Sequence, residues 1–209
     1  MPEPAVHSLL RIATRGALSW EDAGFDEGAA PEWADLALQR LPFVVTRRNL
    51  PRSGRIPVGI RGRLRSQRAP AWLELSAVQE CVTPRMLAAQ RGWRRRSVAN
   101  CPAMAMLEEA QAILAAHGFA DSWGPGGSVG AELASGVQCT HADSDLDLVL
   151  YAECLPTLES AKSLHAQLEV LSVRVDTLVE TPHGGVALAD LAGGADRLLL
   201  RTPQGPRLV

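Results

Sequence analysis

The ten residues from His141 to Leu150 read His-Ala-Asp-Ser-Asp-Leu-Asp-Leu-Val-Leu, and they constrain this chain more than any others. Leu146, Leu148 and Leu150 alternate with Asp145, Asp147 and Val149. Successive side chains of a strand point to opposite faces, so the pattern predicts a strand with one apolar face and two carboxylates opening the other. Asp145 and Asp147 lie about 7 Å apart along such a strand, with Asp143 two residues earlier on the same edge. Like charges repel, and a polyphosphate would repel them all, so the arrangement makes best sense with hard divalent cations between them. That layout suits phosphoryl or nucleotidyl transfer. The plain alternative is a surface loop leading to a strand with an acidic solvent face.

Upstream, Gly124-Pro125-Gly126-Gly127-Ser128-Val129-Gly130 reads as a glycine-rich turn opening a short helix. Gly126 and Gly127 let the backbone approach an anion, and Ser128 sits where free N–H groups and a hydroxyl face phosphate oxygens. Seventeen residues from Ser128 to Asp145 leave room for that helix and a turn. This Gly-Ser, spacer, Asp-x-Asp order resembles the nucleotidyltransferase superfamily typified by DNA polymerase beta. The resemblance implies a third carboxylate on a neighbouring strand, and Val173 to Glu180 offers Asp176. Val173, Val175, Thr177 and Val179 form the expected buried face there. Glu180 shares the face of Asp176 but lies about 13 Å further on. The alternative for Asp176 is a pairing with a surface arginine.

A narrower resemblance rests on several stretches together. These are Trp123 to Gly136 with the Asp-Ser-Asp-Leu-Asp-Leu run, Ile56 to Gly62, Arg65-Ser66-Gln67-Arg68, Glu180 to Leu188 and Leu200 to Val209. They resemble the malonate decarboxylase holo-acyl-carrier-protein synthases, which are phosphoribosyl-dephospho-CoA transferases, from about residue 31 to the end. Residues 1–30 match less well, and no role is assigned to them. The resemblance implies transfer of a phosphoribosyl-dephospho-CoA group from 2'-(5''-triphosphoribosyl)-3'-dephospho-CoA to a serine of the apo acyl carrier subunit, with loss of pyrophosphate. It implies a two-metal Mg2+ site at Asp145 and Asp147, with Asp176 holding the second metal or accepting the proton. Gly126, Gly127 and Ser128 would then orient the triphosphate, and Arg61, Arg65, Ser66, Gln67 and Arg68 would contact donor or carrier. Read without the resemblance, the residues support only metal-dependent attack of a hydroxyl on an alpha-phosphorus. A nucleotidyltransferase using ATP or another nucleotide and a nonenzymatic anion-binding module therefore stay open.

The net charge of −2 conceals a strong asymmetry. Residues 40–96 hold fourteen arginines against Glu74 and Glu80, whereas residues 97–209 hold fourteen acidic residues against five basic ones. Metal ions on the acidic part and arginines on a polyanion would divide the labour; a solvated basic face is the alternative. RNA is disfavoured, since the tryptophans do not interleave with the arginines and the chain has three Phe and one Tyr. Cys81, Cys101, Cys139 and Cys154 lack metal or disulfide spacing. With no long apolar run and no signal-like start, a cytoplasmic enzyme with no membrane partner is expected.

The fold expected is α+β. A C-terminal nucleotidyltransferase-like mixed sheet with helices, residues 97–209, follows a smaller N-terminal α/β domain, residues 1–96, rich in arginine and assigned to substrate or carrier binding. Strands are expected at Pro42 to Thr46 and Arg55 to Ile60. Helices are expected at Ala103 to His117, Leu158 to Leu168 and Val186 to Ala192, with a closing hairpin around Pro203-Gln204-Gly205. His141 and His183 are expected in turns, and Trp123 either packs in the core or stacks on adenine.

Overall fold

A computed structural model describes residues 4–20, 30–50, 52, 54–64, 66–96 and 101–209. The chain forms two compact units, Met1–Thr83 and Pro84–Val209.

In the first unit a six-stranded antiparallel sheet lies under one helix. Its elements are β1 (Leu9–Ile12), β2 (Leu18–Ser19), α1 (Glu32–Arg40), β3 (Phe43–Thr46), β4 (Arg55–Arg61), β5 (Arg68–Glu74) and β6 (Val78–Val82). The strand order is β2-β5-β4-β3-β1-β6. Alternation places Leu10, Val44, Ile56, Val58, Ile60 and Leu73 on one face, where Ala34 and Leu38 of α1 close the core. The expected mixture of helix and strand thus takes an antiparallel form, with both anticipated strands present.

The second unit contains α2 (Pro84–Gln90), α3 (Pro102–Ala105), α4 (Leu107–Ala116), β7 (Trp123–Pro125), α5 (Gly127–Ser135), β8 (Leu146–Tyr151), α6 (Leu158–Leu168), β9 (Val175–Thr181), β10 (Gly184–Ala187), α7 (Leu188–Gly193), β11 (Leu199–Thr202) and β12 (Gly205–Leu208). The sheet is mixed, in the order β12-β11-β10-β9-β8-β7, and β8 runs parallel to β9. Parallel neighbours need a crossover, and α6 supplies it. Thr157 starts that helix where expected, its hydroxyl accepting the Ser160 N–H at 3.2 Å. Leu146, Leu148, Leu150 and Val179 of the sheet pack with Leu107, Leu114, Val129, Leu164 and Leu188 of the helices. Each such leucine contributes about 1.5–3 kcal/mol when fully buried.

Some boundaries differ from the sequence expectation. The two units divide at Thr83/Pro84 rather than near residue 97, because α2 packs on the second unit's own β7. Gly124 permits this, since a Cβ there would run into the Pro84 backbone. The helix expected over Ala103 to His117 is two segments separated at Met106. Val186, expected to begin a helix, belongs to β10 opposite Val179, and both are fully buried. The turn before it explains why the hairpin forms. Thr181 Oγ1 accepts the His183 N–H and donates to the Gly184 carbonyl, with Gly184 at φ 141°. Thr202, Gln204 and Gly205 repeat the device between β11 and β12. Trp123 is 1% exposed, its ring centroid 6.2 Å from that of Trp93, which makes it a core residue. No helix among the described residues is long and apolar enough to cross a membrane.

Candidate active site

Because Leu146, Leu148 and Leu150 are buried against the helices, Asp147 emerges on the other face of β8. Its in-register partner on β9 is Asp176. Neighbouring strands lie about 4.8 Å apart, so two carboxylates stand side by side at the same end of a parallel ladder. Asp145 immediately precedes β8, where the Leu146 N–H donates to the Arg174 carbonyl at 2.9 Å. The structure therefore brings Asp145, Asp147 and Asp176 to one end of the sheet. Asp143 does not join them. It lies in the preceding turn, its N–H donating to His141 Nδ1 at 3.2 Å.

Arg174, two residues before Asp176 and on its side of the strand, is the counter-charge of this group. Its Nη2 donates to both oxygens of Asp176 at 3.1 and 3.0 Å. Its Nη1 stands 4.0 Å from Asp145 Oδ2. The bond to Asp176 chiefly, with the charges of Asp176, Asp145 and Asp147, raises the guanidinium pKa. One cation thus answers to three carboxylates. Among the described residues no three His, Cys, Asp or Glu side chains converge as a ready metal-ligand group. As a donor set, however, three half-exposed carboxylates with one guanidinium between them fit hard divalent cations in oxygen chemistry and in charge deficit.

The first turn of α5 lies against Asp147. The Gly126 N–H donates to the Asp147 carbonyl at 2.8 Å, and the Gly130 N–H closes the first helical bond onto Gly126. Gly127 adopts φ 54°, and a Cβ there would overlap Asp147 Oδ2. The glycine is thus required by the chain's own carboxylate, which sits at the helix N-terminus where the free N–H groups favour negative charge. Ser128 follows, half-buried. It is the second residue of α5, one position after the glycine that faces Asp147.

Sequence reasoning missed the residue that fixes the loop before β8. Glu132 of α5 accepts the Cys139 and Thr140 N–H groups at 2.9 Å each and the Thr140 hydroxyl at 2.6 Å. Partial burial opposes its charge, but the Thr140 and Cys139 bonds and Arg96, 3.7 Å away, outweigh it and hold the carboxyl below its ordinary range. Glu132 lies one helical turn after Ser128, so its reach toward that loop was legible in principle. The surface arginine that the sequence offered as an alternative partner for Asp176 is Arg174, on the same face of the strand.

Further along the same sheet face, Glu180 stands opposite Tyr151, and the Arg85 guanidinium lies 4.3 Å from the Tyr151 ring centroid. Burial first, and Glu180 after it, raise the Tyr151 hydroxyl pKa against the pull of Arg85. Glu180 is 8% exposed, against 45% for the Asp176 side chain. His141 and His183 are exposed turn residues.

The expected donor or carrier contacts fall in the first unit. Arg61 and Arg68 are exposed partners across β4 and β5. In the turn between them Ser66 is exposed, while Gln67 Oε1 accepts the Leu64 N–H at 3.0 Å and so shapes the turn. Arg65 lies outside the described residues.

Comparison with known proteins assigns the family. The family model described as "Phosphoribosyl-dephospho-CoA transferase MdcG N-terminal domain" matches residues 5–84, and the corresponding C-terminal domain model matches residues 86–209. These matches meet where the two units meet. Proteins named phosphoribosyl-dephospho-CoA transferase are similar over nearly the whole chain. One from Pseudomonas fluorescens (strain Pf0-1) is 39% identical over 99% of this chain and 93% of its own. One from Pseudomonas putida (strain W619) is 35% identical over 100% and 95%. One from Klebsiella pneumoniae (strain 342) is 37% identical over 98% and 94%. No solved structure matches. With both halves matched by one family and relatives of this identity along its length, the chain belongs to the phosphoribosyl-dephospho-CoA transferase family.

Proposed function

We propose that the chain transfers the phosphoribosyl-dephospho-CoA group from 2'-(5''-triphosphoribosyl)-3'-dephospho-CoA to a serine of the apo acyl carrier subunit of malonate decarboxylase. The serine oxygen forms the new bond to the alpha-phosphorus, and the bond to pyrophosphate breaks. The supporting observation is the in-register pair Asp147 and Asp176, with Asp145 beside it and the first turn of α5 against it. We read the second unit accordingly as nucleotidyltransferase-like.

Asp145 and Asp147 would hold Mg2+, with Asp176 as ligand of a second ion or acceptor of the serine proton. When bound, the two ions supply charge neutralisation for the departing pyrophosphate and a lower pKa for the attacking hydroxyl. Ser128 would donate its hydroxyl to a phosphate oxygen, and the first N–H groups of α5 would orient the triphosphate. Arg61 and Arg68, with Arg65 and Ser66, would attract the anionic donor or an acidic face of the carrier.

The test is to incubate the protein with Mg2+ and either the triphosphoribosyl donor or ATP, with and without apo carrier. Pyrophosphate should appear with donor and carrier together, matched by the mass of the prosthetic group on the carrier. A carrier with its serine replaced by alanine should gain none. Transfer of adenylate from ATP instead would overturn the assignment of the donor.

A further inference from the structure

Arg174 bonds both oxygens of Asp176 and stands 4.0 Å from Asp145 Oδ2, at carboxylates read above as metal ligands. Resting on the functional reading above, we propose that it is a displaceable counter-ion. It holds Asp176 and Asp145 while no divalent cation is bound, and it turns its guanidinium to the donor's phosphates once cations take those oxygens.

The carboxylates come first. Asp145, Asp147 and Asp176 gather at the shared end of two parallel strands, where like charges stand close and repel. Arg174 relieves this through two bonds to Asp176 and the approach to Asp145. The same Asp176 oxygens cannot be fully shared between a guanidinium and a small cation that demands close oxygen ligands. Cation binding and the Arg174 pairs therefore compete. The competition is winnable because the Arg174 side chain is 62% exposed, and exposed ion pairs are weak. Arg174 also precedes β9 and lies outside the core cluster, so it can leave without disturbing packing.

Once displaced, it remains tethered beside the cluster. Its planar fork suits bidentate phosphate oxygens better than a lysine would. A site that must take a triphosphate would then lose no positive charge on loading. The guanidinium moves from carboxylate to phosphate as the cations arrive. Arg174 would in this way hold the carboxylates in place before substrate and bind the pyrophosphate end afterwards.

Binding of Mn2+ alone to the full chain, followed by electron paramagnetic resonance, tests the first half. Arg174→Gln should bind Mn2+ at least severalfold tighter than the unaltered protein. Arg197→Gln, which removes another exposed charge of the same unit, should not match it. Binding of inorganic pyrophosphate to the Mn2+-loaded protein, by calorimetry, tests the second half. It should weaken about tenfold in Arg174→Gln and less in Arg174→Lys. Unchanged or weaker Mn2+ binding in Arg174→Gln, or equal tightening in Arg197→Gln, would overturn the proposal while leaving the metal reading intact. Absence of Mn2+ binding by every variant, with and without pyrophosphate, would instead remove the metal reading, and this proposal with it.

Discussion

The two six-stranded sheets gather like charges by opposite routes. In the second unit β8 and β9 are parallel, so two strand beginnings lie side by side and Asp147 meets Asp176 in register. Such pairing requires a crossover, here α6, and it converges acidic groups from separate parts of the sequence on one end of the sheet. In the first unit β4 and β5 form an antiparallel hairpin, so Arg61 meets Arg68 across a short turn that Gln67 helps to shape. The acidic end has an internal cation, a helix N-terminus and a loop held by Glu132. It is organised around specific atoms. The basic pair sits on an exposed hairpin end. On the proposed reading chemistry belongs to the first and attraction to the second, and substitutions on each side should separate the two.

The largest effect should follow Asp147→Asn or Asp145→Asn. If these carboxylates hold metal as proposed, losing one charge should remove several kcal/mol of transition-state stabilisation, roughly a thousandfold in turnover, with circular dichroism unchanged because neither side chain belongs to the core. Glu180→Gln is the counterpart four residues beyond Asp176. It should cost about 1–3 kcal/mol of stability through a buried polar site and leave turnover unchanged. A folded aspartate variant with normal turnover would remove the acidic end from the chemistry.

Gly127→Val should come next. A side chain at φ 54° is strained by about 1–2 kcal/mol, and its Cβ would displace the Asp147 carboxylate. Donor binding in a calorimetric titration should be nearly eliminated. Full affinity would show that the turn is no phosphate cradle.

The site was legible where one strand's alternation decided it. Leu146, Leu148 and Leu150 fixed the face of Asp147, and the run from Val173 offered Asp176, but only the parallel register makes the two neighbours. Register between distant strands is set by α6 and the core, not by either segment. The function of Gly127 was half legible. Close approach of an anion was expected, yet the anion in the structure belongs to Asp147. The Thr-Pro-x-Gly turns at Thr181 and Thr202 explain why Val186 extends a strand, since each threonine ties its own hairpin before a helical pattern can begin. The unit boundary was missed because Pro84 packs against Gly124, forty residues away in sequence, and no local composition shift records that contact.

Ser128→Ala should have a smaller effect. One hydrogen bond to a charged phosphate is worth about 1–2 kcal/mol here, or a five- to thirtyfold rise in donor dissociation constant. Turnover at saturation should fall less. Unaltered affinity would assign the phosphate contacts to backbone N–H groups alone.

The smallest effect should come from the basic hairpin. If Arg61, Arg65 and Arg68 attract the donor or an acidic carrier face across solvent, rising ionic strength should weaken them, since the Debye length falls from about 10 Å at 0.1 M to about 3 Å at 1 M. The Michaelis constant should rise with salt. Replacing all three by glutamine should give the same rise at low salt and flatten the remaining dependence, with turnover nearly unaffected because these residues bind rather than react. The aspartate variants, by contrast, should lose turnover at every ionic strength. Wild-type Michaelis constants for both donor and carrier in the triple variant would reduce Arg61 and Arg68 to a solvated pair, and the division between an acidic end for chemistry and a basic hairpin for attraction would fail on its basic side.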